Sequence, residues 1–271
     1  MSKLPFKKIL INGCSFVAGD EIVWNNFCKE VLQKNLPWET RSISDNYIEY
    51  VAYRKKYNLG AQIGQLLITP VIDLSLDGNS NTRIALHTIK TIKEMPLDEL
   101  KDLHVCIGWT GYSRRLKWIN DQHRFQSIHH SHYNESMFLG LRSYIEEEII
   151  KNSNYDHILS FIRDVMLLEN FLIRHGITYT FWLSLSGPPL DLNDLDENLK
   201  KVVNIYTVSD SKNWLSFNKN NEIPMLGETW VNWIDSLSDG WISKTNKHPS
   251  LPSISKMALE ITKHVTSRFL N

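Results

Sequence analysis

The stretch Lys8-Ile9-Leu10-Ile11-Asn12-Gly13-Cys14-Ser15-Phe16 is an apolar, β-branched run that stops at Gly-Cys-Ser. A run of this length and composition reads as a buried strand of an α/β sheet. Glycine directly after it permits a tight turn, which sets the next small residues at the carboxyl edge of the sheet. Open α/β sheets bind ligands at that edge. A serine there is placed like a nucleophile, and His248-Pro249-Ser250, near the far end of the chain, is placed to supply its base.

Outward from this stretch, strand-like runs recur with helical patterns between them. Leu59, Ile63, Leu66 and Leu67 recur at helical spacing, and Val71 to Leu76 reads as a second strand closed by Asp77-Gly78-Asn79. Asn81 to Met95 puts Ile84, Ala85, Thr88, Ile89 and Ile92 on one helix face, and Pro96 stops it. Leu103 to Gly108 is a third strand. Between Trp109 and about Asn154 the pattern is polar, aromatic and irregular, with a helix expected near Ser136 to Ile150. Asp156 to His175 is strongly amphipathic, with Ile158, Phe161, Ile162, Val165, Leu168 and Leu172 in one stripe and Gly176 as its C′ residue. Ile177 to Leu185 reads as a fourth strand and Val202 to Val208 as a fifth. The last helix takes Ser250 as N-cap and Pro252 in its first turn, and buries Ile254, Met257, Ala258, Ile261, Val265 and Phe269. Strand–helix alternation of this kind implies a mostly parallel sheet flanked by helices. Without a linker, low-complexity run or internal repeat, residues 1–271 are expected to form one domain with an insertion at about 109–154.

Composition narrows the function classes. Of 271 residues, 42% are hydrophobic and 22% charged, which is ordinary for a globular chain long enough to bury a substantial core. Lys+Arg and Asp+Glu are both 30, so no broad electrostatic footprint for nucleic acid or an anionic membrane is expected. No apolar run approaches a membrane span of ~20 residues, and no h-region follows the first charges. Cys14, Cys28 and Cys106 are odd in number and lack metal-type spacing, so reduced thiols and a cytoplasmic location are expected. The nine tryptophans read mainly as packing residues. Nothing in the sequence fixes an oligomeric state.

Three glycine-centred strand ends and one histidine remain: Gly13-Cys14-Ser15, Gly78-Asn79-Ser80-Asn81, Gly108-Trp109-Thr110, and His248 before the final helix. Their order resembles the SGNH (GDSL-like) hydrolase family. That family has Gly-Asp-Ser after its first strand, a glycine after its second, Gly-x-Asn-Asp after its third and Asp-x-x-His before its last helix. The resemblance spans nearly the whole chain. It looks closest to divergent, often phage-borne members whose first block reads Gly-Cys-Ser-Phe-x-x-Gly-Asp-Glu, here Gly13 to Glu21.

The resemblance implies a three-layer α/β/α, flavodoxin-like fold with a mostly parallel five-stranded sheet. It also implies a serine esterase or acyl-transfer enzyme acting on a small acyl ester, such as acetyl on a sugar or another hydroxyl-bearing compound. Ser15 is the implied nucleophile and His248 its base. The backbone N–H groups of Ser15 and Gly78 face the oxyanion, and Thr110 stands where the family's asparagine donates a third hydrogen bond. The chain departs from the pattern in its last block: Thr245 replaces the aspartate that orients the histidine. Thr245, Asn246, or a carboxylate such as Asp235 or Asp239, is left to hold the imidazole. A catalytically silent scaffold that binds a carbohydrate or protein partner is the alternative raised by Thr110 and Thr245.

Asn81, Arg83, Trp109 and Arg114 are the expected substrate contacts, because arginines at this edge suit carboxylate, phosphate or sugar hydroxyls. Trp109, Tyr112 and Trp118 at the start of the insertion are placed to wall a pocket or form a lid. His129-His130-Ser131-His132 reads as a solvated insertion loop rather than a metal site, and the chemistry implied requires no metal. No Gly-rich phosphate loop with lysine and no G-x-G-x-x-G follows the first strand, so no nucleotide cofactor is expected.

Overall fold

The structure, a computed structural model, describes residues 4–34, 46–119, 124–128, 133–134, 136–151, 154–185, 211–215, 229–241 and 248–269. At its centre lies β1 (Lys8–Gly13), whose six residues are apolar apart from Lys8, Asn12 and Gly13. Both of its edges are paired in parallel, by β2 (Val71–Asp73) on one side and β3 (Leu103–Trp109) on the other. A fourth parallel strand, β6 (Thr178–Leu183), continues the sheet beyond β3. The register sets Gly13 opposite Gly108 and Trp109 opposite Leu183, so the carboxyl ends of the three longer strands finish level.

Alternation along the strands feeds two separate cores. Leu10, Val105, Ile107, Trp109 and Phe181 face the layer made by α5 (Asn81–Lys93) and α8 (Asn154–Arg174). Ile9, Ile11, Cys106 and Trp182 face α1 (Ser15–Ala18), α4 (Leu59–Leu67), α9 (Trp230–Asp235) and α10 (Leu251–Phe269). The architecture is therefore α/β with a parallel sheet between two helical layers. The caps follow the expected chemistry. Asn58, Ser80 and Ser250 each accept a hydrogen bond from a backbone N–H in the first turn of α4, α5 and α10. Gly176 takes a φ of 64° after α8, a conformation that suits glycine at C′.

Three expectations are revised. The second strand spans Val71–Asp73 rather than reaching Leu76, although the Leu74 and Leu76 N–H groups go on donating to the Ile11 and Gly13 carbonyls of β1 at 2.8 Å and 3.2 Å. The insertion is not irregular throughout: β4 (Arg115–Ile119) and β5 (Arg124–Ile128) form an antiparallel ribbon. The expected helix near 136–150 is a 3₁₀ segment, one α turn, α7 (Arg142–Ile145), and a wider turn over Glu146–Ile150. Val202 to Val208 and the His129–His132 cluster lie outside the described residues. Along the β6 edge, Trp214 bridges Phe181 in parallel and the Leu215 N–H donates to the Phe181 carbonyl at 2.8 Å.

Sequence reading missed α2 (Asp20–Phe27), α3 (Tyr47–Tyr57) and the short α6 (Leu97–Leu100). Trp24, Phe27 and Tyr50 close α2 and α3 on each other as a small aromatic core, with Tyr50 edge-on to Trp24 at 5.0 Å.

Candidate active site

After β1 the chain leaves on the α1 face, whereas after β3 it runs through the ribbon to α8 on the opposite face. A crevice forms where neighbouring strands send their connections to opposite sides. Ser15 sits at this point. It is the first residue of α1, is 4% exposed, and follows Cys14 in an extended conformation at φ −92°.

His248 comes to the same edge from the far end of the chain. Its ring lies 5.7 Å from that of Phe16, the residue after Ser15, at an interplanar angle of 39°. Phe16 in turn receives Trp230 and Trp241 edge-on, at 5.9 Å and 6.2 Å. The His248 loop is fixed by a bridge between Pro249 and Trp241, and by the Ser250 N–H donating to the Gly240 carbonyl at 2.9 Å. Thr245 and Asn246 lie outside the described residues. The two nearby carboxylates are engaged with other partners: Asp235 accepts from the Trp241 indole N–H at 2.8 Å, and Asp239 pairs with Lys256 at 2.9 Å.

A buried amide network supports the strand ends. The Asn12 side chain caps its own strand, its Oδ1 accepting from the Gly13 N–H at 2.8 Å while its Nδ2 donates to the Ile84 carbonyl and Thr88 hydroxyl of α5. Asn79 Nδ2 donates to the Gly13 carbonyl at 3.0 Å. Gly78, just before it, has a φ of 66°, and a side chain there would meet open space, so its glycine serves the backbone turn alone.

Two of the four expected substrate contacts, Asn81 and Trp109, are buried among protein partners. Asn81 is buried, and its carboxamide is committed to the loop after β3. It accepts from the Thr110 N–H at 2.9 Å and donates to the Thr110 and Gly111 carbonyls at 3.1 Å and 3.3 Å. Trp109 is fully buried in the α5–α8 core, edge-on to Phe161 and Phe181, and does not line the crevice. Thr110 is fully buried, with its N–H already given to Asn81 and its hydroxyl without a hydrogen-bond partner. Tyr112 is a core residue against Phe161 at 4.8 Å. Arg114 stays half-buried beside the crevice, donating from Nη1 to the Asn79 carbonyl at 3.4 Å. Arg83 lies in the first turn of α5, where its charge adds to burial in holding His87 below the usual imidazole range.

All three cysteines are free and buried, and burial pushes the Cys106 thiol up to about 12. Among the described residues no cluster of histidine, cysteine or carboxylate side chains could hold a metal, and no helix is long and apolar enough to cross a membrane. Asn12, Asn79 and Ser127 were missed by sequence reading. The signal for Asn12 was a polar residue at the end of an otherwise apolar strand.

No protein family model and no curated protein matches the chain. Among solved structures it is similar to a G-D-S-L family protein from Desulfitobacterium hafniense, at 12% identity and a TM-score of 0.46, over 95% of this chain and 99% of that one. It is also similar to the psychrotrophic esterase EstA from a Pseudoalteromonas species, a structure inhibited by monoethylphosphonate, at 11% identity and a TM-score of 0.45, over 98% and 100%. Likeness at this distance assigns no activity, and the functional reading rests on the chain's own residues.

Proposed function

We propose that the chain is an SGNH-like serine ester hydrolase or acyl-transfer enzyme of a single domain, related to the phage-borne branch that its Gly13 to Glu21 block resembles. The observation that carries this reading is the meeting of Ser15, at the crevice above β1, with the loop that bears His248, through the ring contact of Phe16 and His248.

In this reading Ser15 Oγ attacks the carbonyl carbon of a small acyl ester while His248 takes the hydroxyl proton. The backbone N–H groups of Ser15 and Gly78 meet the developing oxyanion, and losing one such donor typically costs ~10²–10³ in rate. Collapse of the tetrahedral intermediate breaks the ester C–O bond, and His248 returns its proton to the leaving alcohol. Water or an acceptor alcohol, deprotonated by His248, then releases the acyl group from Ser15. The Thr110 N–H is already given to Asn81, which leaves its buried, unpartnered hydroxyl as the group to donate a third hydrogen bond. Thr245 or Asn246 orients the imidazole without supplying a charge, which sets a slow or specialised enzyme apart from one with an aspartate there. Arg114 contacts polar groups of the substrate at the crevice rim.

Labelling with a fluorophosphonate probe tests the reading. Wild type reacts, and Ser15→Ala and His248→Ala do not. A folded wild type that fails to react overturns it in favour of a catalytically silent scaffold with a carbohydrate or protein partner.

A further inference from the structure

The β4–β5 ribbon carries two exposed aromatic side chains that no core absorbs. Trp118 and Phe125 are directly opposite in the ribbon register, 43% and 55% exposed, with ring centroids 5.0 Å apart and planes at 70°. Cross-strand partners share a face, and so do residues two apart along a strand. Leu116, Trp118, Phe125 and Ser127 therefore occupy one face of the ribbon, with Leu116 paired to Ser127.

Ser127 shows where that face points. Its Oγ accepts from the Ser80 N–H at 3.0 Å, in the turn that follows Gly78. The neighbouring Asn79 is bonded to the Gly13 carbonyl at 3.0 Å, and Gly13 stands two residues before Ser15. The aromatic pair thus begins one side-chain step, ~7 Å along the strand, from the rim of the candidate crevice. Lys117 and Arg115 belong to the other face, where Lys117 lies over the Tyr144 ring at 4.3 Å and Arg115 reaches His157 at 2.8 Å.

We propose that Trp118 and Phe125 form a subsite for the alcohol part of the ester, a pyranose or similarly rigid ring that stacks one C–H face on them. This rests on the Ser15 reading and extends it to a substrate class. A half-open aromatic surface removes little water from a flexible acyl chain, whereas a rigid ring stacks on it at small entropic cost. At 70° the two rings do not cover each other's faces, and the half-buried Arg114 supplies a polar partner for the ring's hydroxyls.

The test compares methyl 6-O-acetylglucopyranoside with ethyl acetate. In the Trp118→Ala, Phe125→Ala double variant, the preference in kcat/KM for the sugar ester falls about tenfold, mostly through KM. An unchanged preference overturns the subsite. Binding of cellobiose, a ring sugar with no ester, is read in parallel as the fluorescence change lost in Trp118→Ala. If wild type reacts with fluorophosphonate but neither readout depends on Trp118, the subsite falls and the serine reading stands. If wild type does not react yet cellobiose gives a Trp118-dependent change, the serine reading falls and the ring-binding surface stands.

Discussion

Asn79 holds Gly13: its carboxamide N–H donates to the Gly13 carbonyl at 3.0 Å and ties the turn carrying Gly78 to the strand end that presents Ser15. Both residues are buried, and this carbonyl otherwise accepts only the Leu76 N–H, at 3.2 Å, among the described residues. Asn79→Ala is expected to lose about 1–3 kcal/mol in urea unfolding and to slow fluorophosphonate labelling. Asn79→Asp is not expected to rescue either, because an ionised carboxylate cannot donate.

Gly108 is the next point of contact between fold and crevice. A Cβ there would approach Ser184 Oγ and Val17 Cγ2 at 2.5 Å and Trp182 Cε2 at 2.9 Å. Val17 belongs to α1, so relief of the clash moves the turn that begins at Ser15. Gly108→Ala should cost about 1–3 kcal/mol by overpacking. It should also reduce labelling more than its stability loss explains, as measured on protein shown to be folded by near-UV circular dichroism.

At the opposite end of the sheet, His104 is buried between Phe6 and Phe269 and bonded to the hydroxyls of Thr178 and Thr180. Burial first, then the charges of Arg268 and His264, lowers it from 6.5 to about 3. The folded protein therefore refuses a proton that the unfolded chain accepts. The associated stability is complete above pH 6.5 and is lost between 6.5 and about 3, at a slope of about 1.4 kcal/mol per pH unit. The raised carboxyls of Asp73, Asp164 and Glu169 act with the opposite sign, so the comparison with His104→Gln is the readout. The variant should unfold less steeply with acid than wild type in urea titrations at pH 7, 5.5 and 4.5.

Asp164 provides the converse. It is buried in α8 and accepts from the Thr82 hydroxyl at 2.7 Å, and burial outweighs Thr82 and Arg163 in raising its pKa. A raised carboxyl contributes stability below its unfolded value of 3.8, and this is lost as pH climbs through the folded value. Asp164→Asn keeps the acceptor for Thr82 without the buried charge. It should raise the thermal midpoint at pH 7, with the difference closing below pH 3.8.

The parallel sheet and its two helical layers were legible because β1, β3 and β6 are short apolar runs and α5, α8 and α10 carry clean apolar stripes. The ribbon left a signal that was passed over: Arg115 to Ile119 and Arg124 to Ile128 largely alternate polar with apolar residues on either side of Asn120-Asp121, runs too short to stand out from the polar, aromatic stretch around them. Glycine placement pointed to the strand ends, and the position of His248 before the helix that follows it pointed to the histidine, but neither tells what the neighbouring residues do. Asn81 and Trp109 look like crevice residues in sequence. Their destinations depend on side-chain direction, which at the end of β3 places Trp109 in the core and in the first turn of α5 turns Asn81 onto backbone. Amides that bond to backbone and amides that bond to ligand have the same letters.

The helix α10 begins just after His248, at the crevice, and ends at Phe269, which packs on Phe6 and His104 at the other end of the sheet. Its 19 residues cross the molecule, a length of about 28 Å. Ser15 is synthesised long before the histidine that meets its neighbour, which is made together with α10. The Phe16–His248 contact therefore waits until α10 is made and docked. In the proposed reading, reactivity of Ser15 then reports that α10 has docked.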